Sequence, residues 1–157
     1  STAILDELRY HEARKLVGHG HDRVLAEQRS QRLVNQMSTA FDDAIVANWE
    51  ALEGTFGLPD IDDEHVVAAA LVGGADVIVT SNLKDFPPQR IPNPVKVISP
   101  AQFAADTVSV SPDAAHHAVI AMASRFVRPL STVEQILEHL MARYAMIEAV
   151  ELIRGVE

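Results

Sequence analysis

The chain has 157 residues, of which 48% are hydrophobic, and it carries a formal net charge of −9 at pH 7. This length suits one compact domain with a small appendage, and the acidic balance argues against a simple phosphate-binding surface. The chain has no cysteine, which excludes disulfides, thiolate zinc sites and a cysteine nucleophile and suits a cytoplasmic location. No apolar run is long enough to span a membrane, so no membrane association is expected.

Apolar residues at helical spacing predict three helices in the first third of the chain, with Ser1 or Thr2 as the first cap. The predicted helices cover residues 3–17, 22–38 and 44–57, the last closed by Gly54 or Gly57. This third also contains a set of basic residues, Arg9, Arg14, Lys15, Arg23, Arg29 and Arg32. They are interpreted either as a local patch for nucleic acid or as an ordinary solvated helix surface, which is the more common case.

The segment "LPDIDDEHVVAAALVGG" is the clearest helix, with acids at its start and Gly73-Gly74 at its end. The elements predicted after it are a strand at 77–80, a helical turn at 83–86, a strand at 95–98 and a helix opened by Ser99-Pro100. A helix, a glycine turn and buried strands separated by helices indicate an α/β fold with a parallel sheet flanked by helices. Ligands of such sheets collect at the carboxyl ends of the strands, where Thr80, Ser81 and Asn82 lie.

Beyond residue 108 the pattern is helical. Ser111-Pro112 opens one helix, the capping box Ser131-Thr132-Val133-Glu134 opens another, and "AMIEAVELIRG" is a third or a continuation. The predicted organisation is therefore a domain at residues 1–108 and a helical C-terminal extension at 109–157.

Acidic residues fall where elements meet, with Asp60, Asp62 and Asp63 before one helix and Asp85 after a strand. Carboxylates gathered in this way repel one another unless a cation lies among them. Hard oxygen ligands favour Mg²⁺ or Mn²⁺, and hydrolysis of a phosphodiester is the natural chemistry of such a site. Each acid taken singly is more often a helix cap than a ligand.

The stretch "LPDIDDEHVVAAALVGGADVIVTSNLKDFP" resembles the second half of PIN-domain ribonucleases, most closely the longer bacterial toxins of the VapC type. The resemblance extends to "STAILDEL", "MSTAFDDAIV" and "VKVISPAQF", and thus covers nearly the whole chain. It implies a PIN-like fold and an Mg²⁺- or Mn²⁺-dependent endoribonuclease, the toxin of a type II toxin–antitoxin pair. Its partners would be RNA, a cognate antitoxin protein and a second copy in a homodimer.

The resemblance assigns the metal-binding, catalytic acids to Glu7, Asp63 and Asp85. Contacts to metal, water or phosphate are further implied for Thr80 and Asn82, and Asp62 is a weaker candidate than Asp63. His65 lies two residues after Asp63 and is interpreted either as a supporting residue that faces the site or as a packed residue. PIN domains also begin with a strand that ends in a family-defining Asp, and this chain has no segment like it. We therefore expect the polypeptide alone to be a poor or inactive nuclease, which a separate N-terminal fragment of the same protein could complete.

Two other functions compete with the nuclease. A non-catalytic PIN-like scaffold for a protein partner would need no Mn²⁺ site, so metal affinity discriminates between the two. A receiver-like phosphoacceptor domain would need a Lys at a strand end, whereas Lys96 is predicted to lie within its strand.

Overall fold

A computed structural model describes residues 1–125 and 132–156. These residues form seven α-helices, which are α1 Thr2–Gly18, α2 Arg23–Ala40, α3 Glu64–Val72, α4 Pro100–Val110, α5 Pro112–Arg125, α6 Val133–Tyr144 and α7 Ile147–Arg154. Two short strands, β1 Val77–Val79 and β2 Lys96–Ile98, are also present. Within the described ranges, no helix has both the length and the apolar character needed to cross a membrane.

The chain divides into two compact units. The first comprises Ser1–Ile78 and Lys84–Lys96, and the second comprises Val79–Leu83 and Val97–Glu157. The division at residue 108 into a PIN-like domain and an extension stays a prediction.

Helices α1 and α2 confirm the first two sequence predictions and pack against each other. Asp22 caps α2, since its Oδ1 accepts hydrogen bonds from the backbone N–H of Val24 and Leu25 at 2.9 and 3.1 Å. The buried residues of α2 are Ala26 and Ser30, one turn apart. Their small side chains lie on one helix face and allow a neighbouring element to approach closely.

The predicted helix at 44–57 is wrong. The structure has only two 3₁₀ turns there, Asp42–Ala44 and Glu50–Leu52. Asn48, Gly54 and Gly57 adopt φ of 61°, 78° and 68°, and a right-handed helix cannot pass through such residues. The segment instead turns repeatedly.

Helix α3 confirms the clearest sequence prediction and forms the centre of the first unit. A 3₁₀ turn at Ile61–Asp63 leads into it, and Gly74 with a φ of 65° follows its end. Ala68 and Ala69 are buried against Trp49, together with half-buried Val46. The alanines leave room for the indole, so the irregular segment before α3 packs as a lid on its apolar face.

Strands β1 and β2 pair in parallel, as expected, within about one residue of the predicted bounds. In the first unit the N–H of Lys96 donates to the carbonyl of Asp76 at 2.9 Å, and in the second the N–H of Thr80 donates to Ile98 at 3.0 Å. In the described part of the chain the fold is mostly helical with this small sheet. A wider PIN-like sheet stays a prediction.

The second unit is helical, as the sequence predicts. Ser99 caps α4, and α5 begins at Pro112. The capping box of α6 lies one residue later than predicted, because Thr132 and Gln135 exchange the two hydrogen bonds; Ser131 lies outside the described residues. Ala145 has a φ of 54° and separates α7 from α6. The buried core of this unit consists of Val119, Ile136, Leu137, Val150 and Ile153.

Gly73→Ala should destabilise the first unit. A Cβ at this position would lie 2.7 Å from Val46 Cγ2 and 3.0 Å from the carbonyl oxygen of Ala69, so the lid on α3 would have to shift. We expect a loss of about 1–3 kcal/mol in the free energy of unfolding, measured by urea denaturation. Gly18→Ala is the matched control, because a Cβ there meets nothing within 4 Å and alanine favours the helix. Equal stability of the two variants would contradict the close approach of Val46.

Candidate metal centre

Three aspartates come together in the first unit. Asp60 and Asp63 lie at the two ends of the 3₁₀ turn before α3, and Asp85 lies in the 3₁₀ turn Leu83–Asp85 that follows β1. One carboxylate oxygen of each lies within 4.8 Å of the others. Asp60 is exposed, whereas Asp63 and Asp85 are half-buried. The described residues thus bring acids from two separate turns to one point.

The surroundings of Asp63 raise the pKa of its carboxyl group. Partial burial raises the pKa of its carboxyl, and the negative charges of Asp60, Asp85 and Glu7 raise it further. His65 acts in the opposite direction and lowers it. The net result is a pKa above the ordinary value of 3.8. Burial and the repulsion between the acids together therefore outweigh the opposing effect of His65.

The outer members of the cluster have other contacts as well. Oδ1 of Asp60 accepts a hydrogen bond from the N–H of Asp62 at 3.0 Å and caps the turn. Lys84 Nζ lies 3.7 Å from Oδ2 of Asp85, but the Lys84 side chain is 83% exposed, so this ion pair is weak.

Glu64, the residue after Asp63, is buried and has a structural role. Its Oε2 accepts from the N–H of Phe56 at 3.1 Å, and its Oε1 accepts from the N–H of Leu58 at 3.0 Å. Burial alone would raise the pKa of this carboxyl, but the backbone N–H groups of residues 54–58 together outweigh burial and lower it. Glu64 therefore ties the preceding loop to the start of α3 and fixes where Asp63 lies.

His65 is also buried and lies between the cluster and α1. Its Nδ1 is 2.6 Å from the carbonyl oxygen of Asp62, which can only accept, so Nδ1 carries the proton. Its Nε2 is buried without a hydrogen-bond partner and lies 3.6 Å from Oε2 of Glu7. When the ring is protonated, this nitrogen faces the Glu7 carboxylate as an ion-pair partner.

The residues predicted for the site are only partly brought together. Asp63 and Asp85 are in the three-acid cluster, and Glu7 is near enough to raise the pKa of Asp63. Asp62 is exposed and contributes its backbone to His65. Thr80 and Asn82 belong to the second unit, where Thr80 Oγ1 accepts from the N–H of Asn82 at 3.0 Å.

Two residues near the start of α3 have roles that the sequence left undecided. Asp60 is predicted both as one of the gathered acids and as a cap candidate, and in the structure it is both a cap and a member of the cluster. Glu64, in the first turn of α3, anchors the loop before the helix. The signal for Asp60 was present in its spacing, since positions 60 and 63 are three residues apart and meet across one 3₁₀ turn. The partners of Glu64 had no signal in the sequence.

The donor set of the cluster fits a hard divalent cation. Three carboxylates offer oxygen ligands only, which is the preference of Mg²⁺ and Mn²⁺. A cation among them would remove the repulsion that raises the pKa of Asp63. Asp60, Asp63 and Asp85 are the residues that would hold it, with Glu7 beside them.

Glu64→Gln should lower the melting temperature at pH 7. The pKa of Glu64 is lower in the folded protein than its ordinary value of 4.5, so its ionised form stabilises the fold above that value. This stabilisation is lost as the pH falls through the folded-state pKa, and the difference between variant and wild type should shrink there. Glu148→Gln, which changes an exposed glutamate in the first turn of α7, is the control. A pH-independent difference would contradict the role of the charge.

Asp63→Asn should raise the melting temperature at pH 7 in EDTA. The folded-state pKa of Asp63 is raised, so ionisation above that pKa costs stability, and protonation removes the cost as the pH falls towards 3.8. The gain should vanish at acidic pH. The side chain of Asp63 makes no capping bond to α3, so no cap is lost with the charge. Asp43→Asn, outside the cluster, controls for the net charge, and an equal gain there would contradict the prediction.

Comparison with known proteins gives one informative similarity. The chain is 34% identical over 79 residues to a protein of Mycobacterium tuberculosis (strain ATCC 25618 / H37Rv) that is named "Putative ribonuclease VapC50". The match covers 50% of this chain and 47% of the relative, so the chain spans about half the length of the relative. No protein-family model and no solved structure matches the chain. The similarity is thus to part of a protein named as a VapC ribonuclease.

Proposed function

We propose that the protein is a VapC-type, metal-dependent endoribonuclease with a PIN-like fold, the toxin of a type II toxin–antitoxin pair. The observation that carries this proposal is the cluster of Asp60, Asp63 and Asp85, whose oxygens lie within 4.8 Å of one another. The partial similarity to a protein named as a VapC ribonuclease supports the reaction class. A cognate antitoxin, an RNA substrate and a homodimer belong to the same proposal.

In this function Asp60, Asp63 and Asp85 would hold Mg²⁺ or Mn²⁺, with Glu7 as a further acid. When bound there, such an ion would supply Lewis-acid polarisation of a phosphate and would lower the pKa of a water molecule. The residues of the chain position the ligands. Glu64 fixes the loop that precedes Asp63, and the 2.6 Å bond from His65 to Asp62 holds the turn between Asp60 and Asp63. Preorganisation of this kind removes the reorganisation cost at the moment of reaction.

His65 acts on Glu7 in the proposed site. The buried Nε2 lies 3.6 Å from the Glu7 carboxylate, and the side chain of Glu7 is 53% exposed. Without a neighbour, an exposed glutamate on a helix would sample many rotamers. When protonated, the imidazole pairs with the Glu7 carboxylate and restricts its position beside Asp63.

The first test is binding of Mn²⁺ by isothermal titration calorimetry. The wild-type chain should bind Mn²⁺, and Asp63→Asn should weaken binding by more than about 100-fold, since it removes a ligand rather than an outer contact. Asp43→Asn should bind as the wild type does. EDTA should remove the increase in melting temperature that Mn²⁺ produces.

Cleavage of single-stranded RNA by the full-length gene product provides the second readout. We expect cleavage with Mn²⁺, none with EDTA and none in the Asp63→Asn variant. If Mn²⁺ does not bind and RNA is not cut, the nuclease proposal fails. Capping of the 3₁₀ turn would then be the main role of Asp60. A non-catalytic PIN-like scaffold for a protein partner would become the better supported function.

A further inference from the structure

A long groove runs between α1 and α2 in the first unit. It consists of two adjoining cavities of about 640 and 530 Å³ between the helices, and a third cavity of about 350 Å³, lined by α2 alone, continues from them. The first two share Tyr10, Ala13 and Glu27, and the first and third share Arg32 and Asn35, so the three form one continuous surface. This surface is called the α1–α2 groove below.

The groove is basic although the chain is acidic. Its lining contains one acid, Glu27, and four arginines, Arg9, Arg14, Arg23 and Arg32. Arg23 pairs with Glu27 at 3.1 Å, and Arg9 pairs with Asp6 at 3.3 Å. Within residues 1–125 and 132–156, Arg14 and Arg32 form no ion pair with an acid. In a chain with a net charge of −9, this bias indicates an anionic occupant.

Tyr10 adds an aromatic platform to the positive charge. Its side chain is 58% exposed, and the guanidinium of Arg14 lies over the ring at 5.5 Å from the centroid and also donates to the hydroxyl at 3.4 Å. The amides of Gln28, Gln31 and Asn35 line the same groove. Arginines contact phosphates, an exposed aromatic ring stacks on unpaired bases, and amides pair with base edges. A duplex would hide the bases from Tyr10, so the combination fits a single strand.

The groove begins beside the proposed metal centre. Ala3, Glu7, Tyr10 and Arg14 are spaced four, three and four residues apart, which places them on one stripe of α1. Ala3 packs on the cluster around Trp49, Glu7 faces His65, and Tyr10 and Arg14 line the groove. The seven residue-to-residue steps from Glu7 to Arg14 span about 10 Å along the helix.

We propose that the α1–α2 groove binds single-stranded RNA, with Arg14 and Arg32 on phosphates and Tyr10 stacked on a base. The identity of the strand as RNA rests on the proposed ribonuclease function. The groove would then lead the substrate to the acids, and its positive charge would offset the repulsion between RNA and an acidic protein.

The test measures binding of a fluorescein-labelled single-stranded RNA by anisotropy, in EDTA and in the Asp63→Asn background, so that neither metal nor cleavage contributes. Changing both Arg14 and Arg32 to Gln should weaken binding by about tenfold or more. A plot of log affinity against log salt concentration has a negative slope. This slope should become shallower by about 1.4, since each phosphate contact on a single strand contributes about 0.7. Tyr10→Leu should weaken binding by roughly tenfold through lost stacking.

The chain offers a matched control. Arg143 lies 5.8 Å from the centroid of the Tyr144 ring in the second unit, so the same arginine–tyrosine pair occurs outside the groove. Arg143→Gln and Tyr144→Leu should leave the affinity and the salt slope unchanged. Melting temperatures show whether every variant is folded.

The outcomes separate this inference from the proposed function. If the groove variants bind RNA as tightly as the Arg143→Gln variant, the inference is overturned even if the protein binds Mn²⁺ and cuts RNA, and a protein segment becomes the better occupant of the groove. If the groove variants lose affinity while Mn²⁺ does not bind, the inference stands and the nuclease proposal fails.

Discussion

The candidate site depends on the buried carboxylate of Glu64. It accepts backbone N–H groups from the irregular segment that ends at Leu58, and no regular secondary structure is available to satisfy those donors. Leaving them unpaired in the interior would be costly, so the loop and the first turn of α3 are held together. The 3₁₀ turn between them is therefore confined, and its two terminal aspartates point to one place. Glu64 thus positions the neighbouring acids of the candidate metal centre.

The acids of the cluster repel one another, and this repulsion opposes the stability of the first unit. Asp63 is partly buried among Asp60, Asp85 and Glu7, and Lys84 is too exposed to compensate fully. Proteins retain such arrangements where function needs them, because the same carboxylates would be more stable apart. The neighbouring α3 contributes a rigid base through its buried alanines and Trp49. The packing of α3 therefore offsets the electrostatic repulsion within the cluster.

Regular periodicity made most helices predictable. Helices α1 and α2, α3 with its glycine end, and both strands follow from local patterns of apolar residues and caps. The segment at 44–57 has a helical composition, but Asn48, Gly54 and Gly57 adopt left-handed conformations. The segment packs on α3 through Trp49 and donates backbone N–H groups to Glu64, and these contacts are made with residues outside the segment. Asp63 and Asp85 were found by their places at element ends. The pairing of Glu7 with His65 depends on how α1 approaches α3, which no local pattern encodes.

Helix α1 buries none of its residues fully, although it carries Glu7. Its apolar contacts are with α2 and, through Ala3, with the cluster around Trp49. An element held by so little buried surface opens more readily than the domain unfolds. The aspartates lie beside the buried face of α3, so they do not depend on α1 for their position. Local opening of α1 would carry Glu7 away from them, and a ligand that bridged α1 and the aspartates would favour the closed arrangement by mass action.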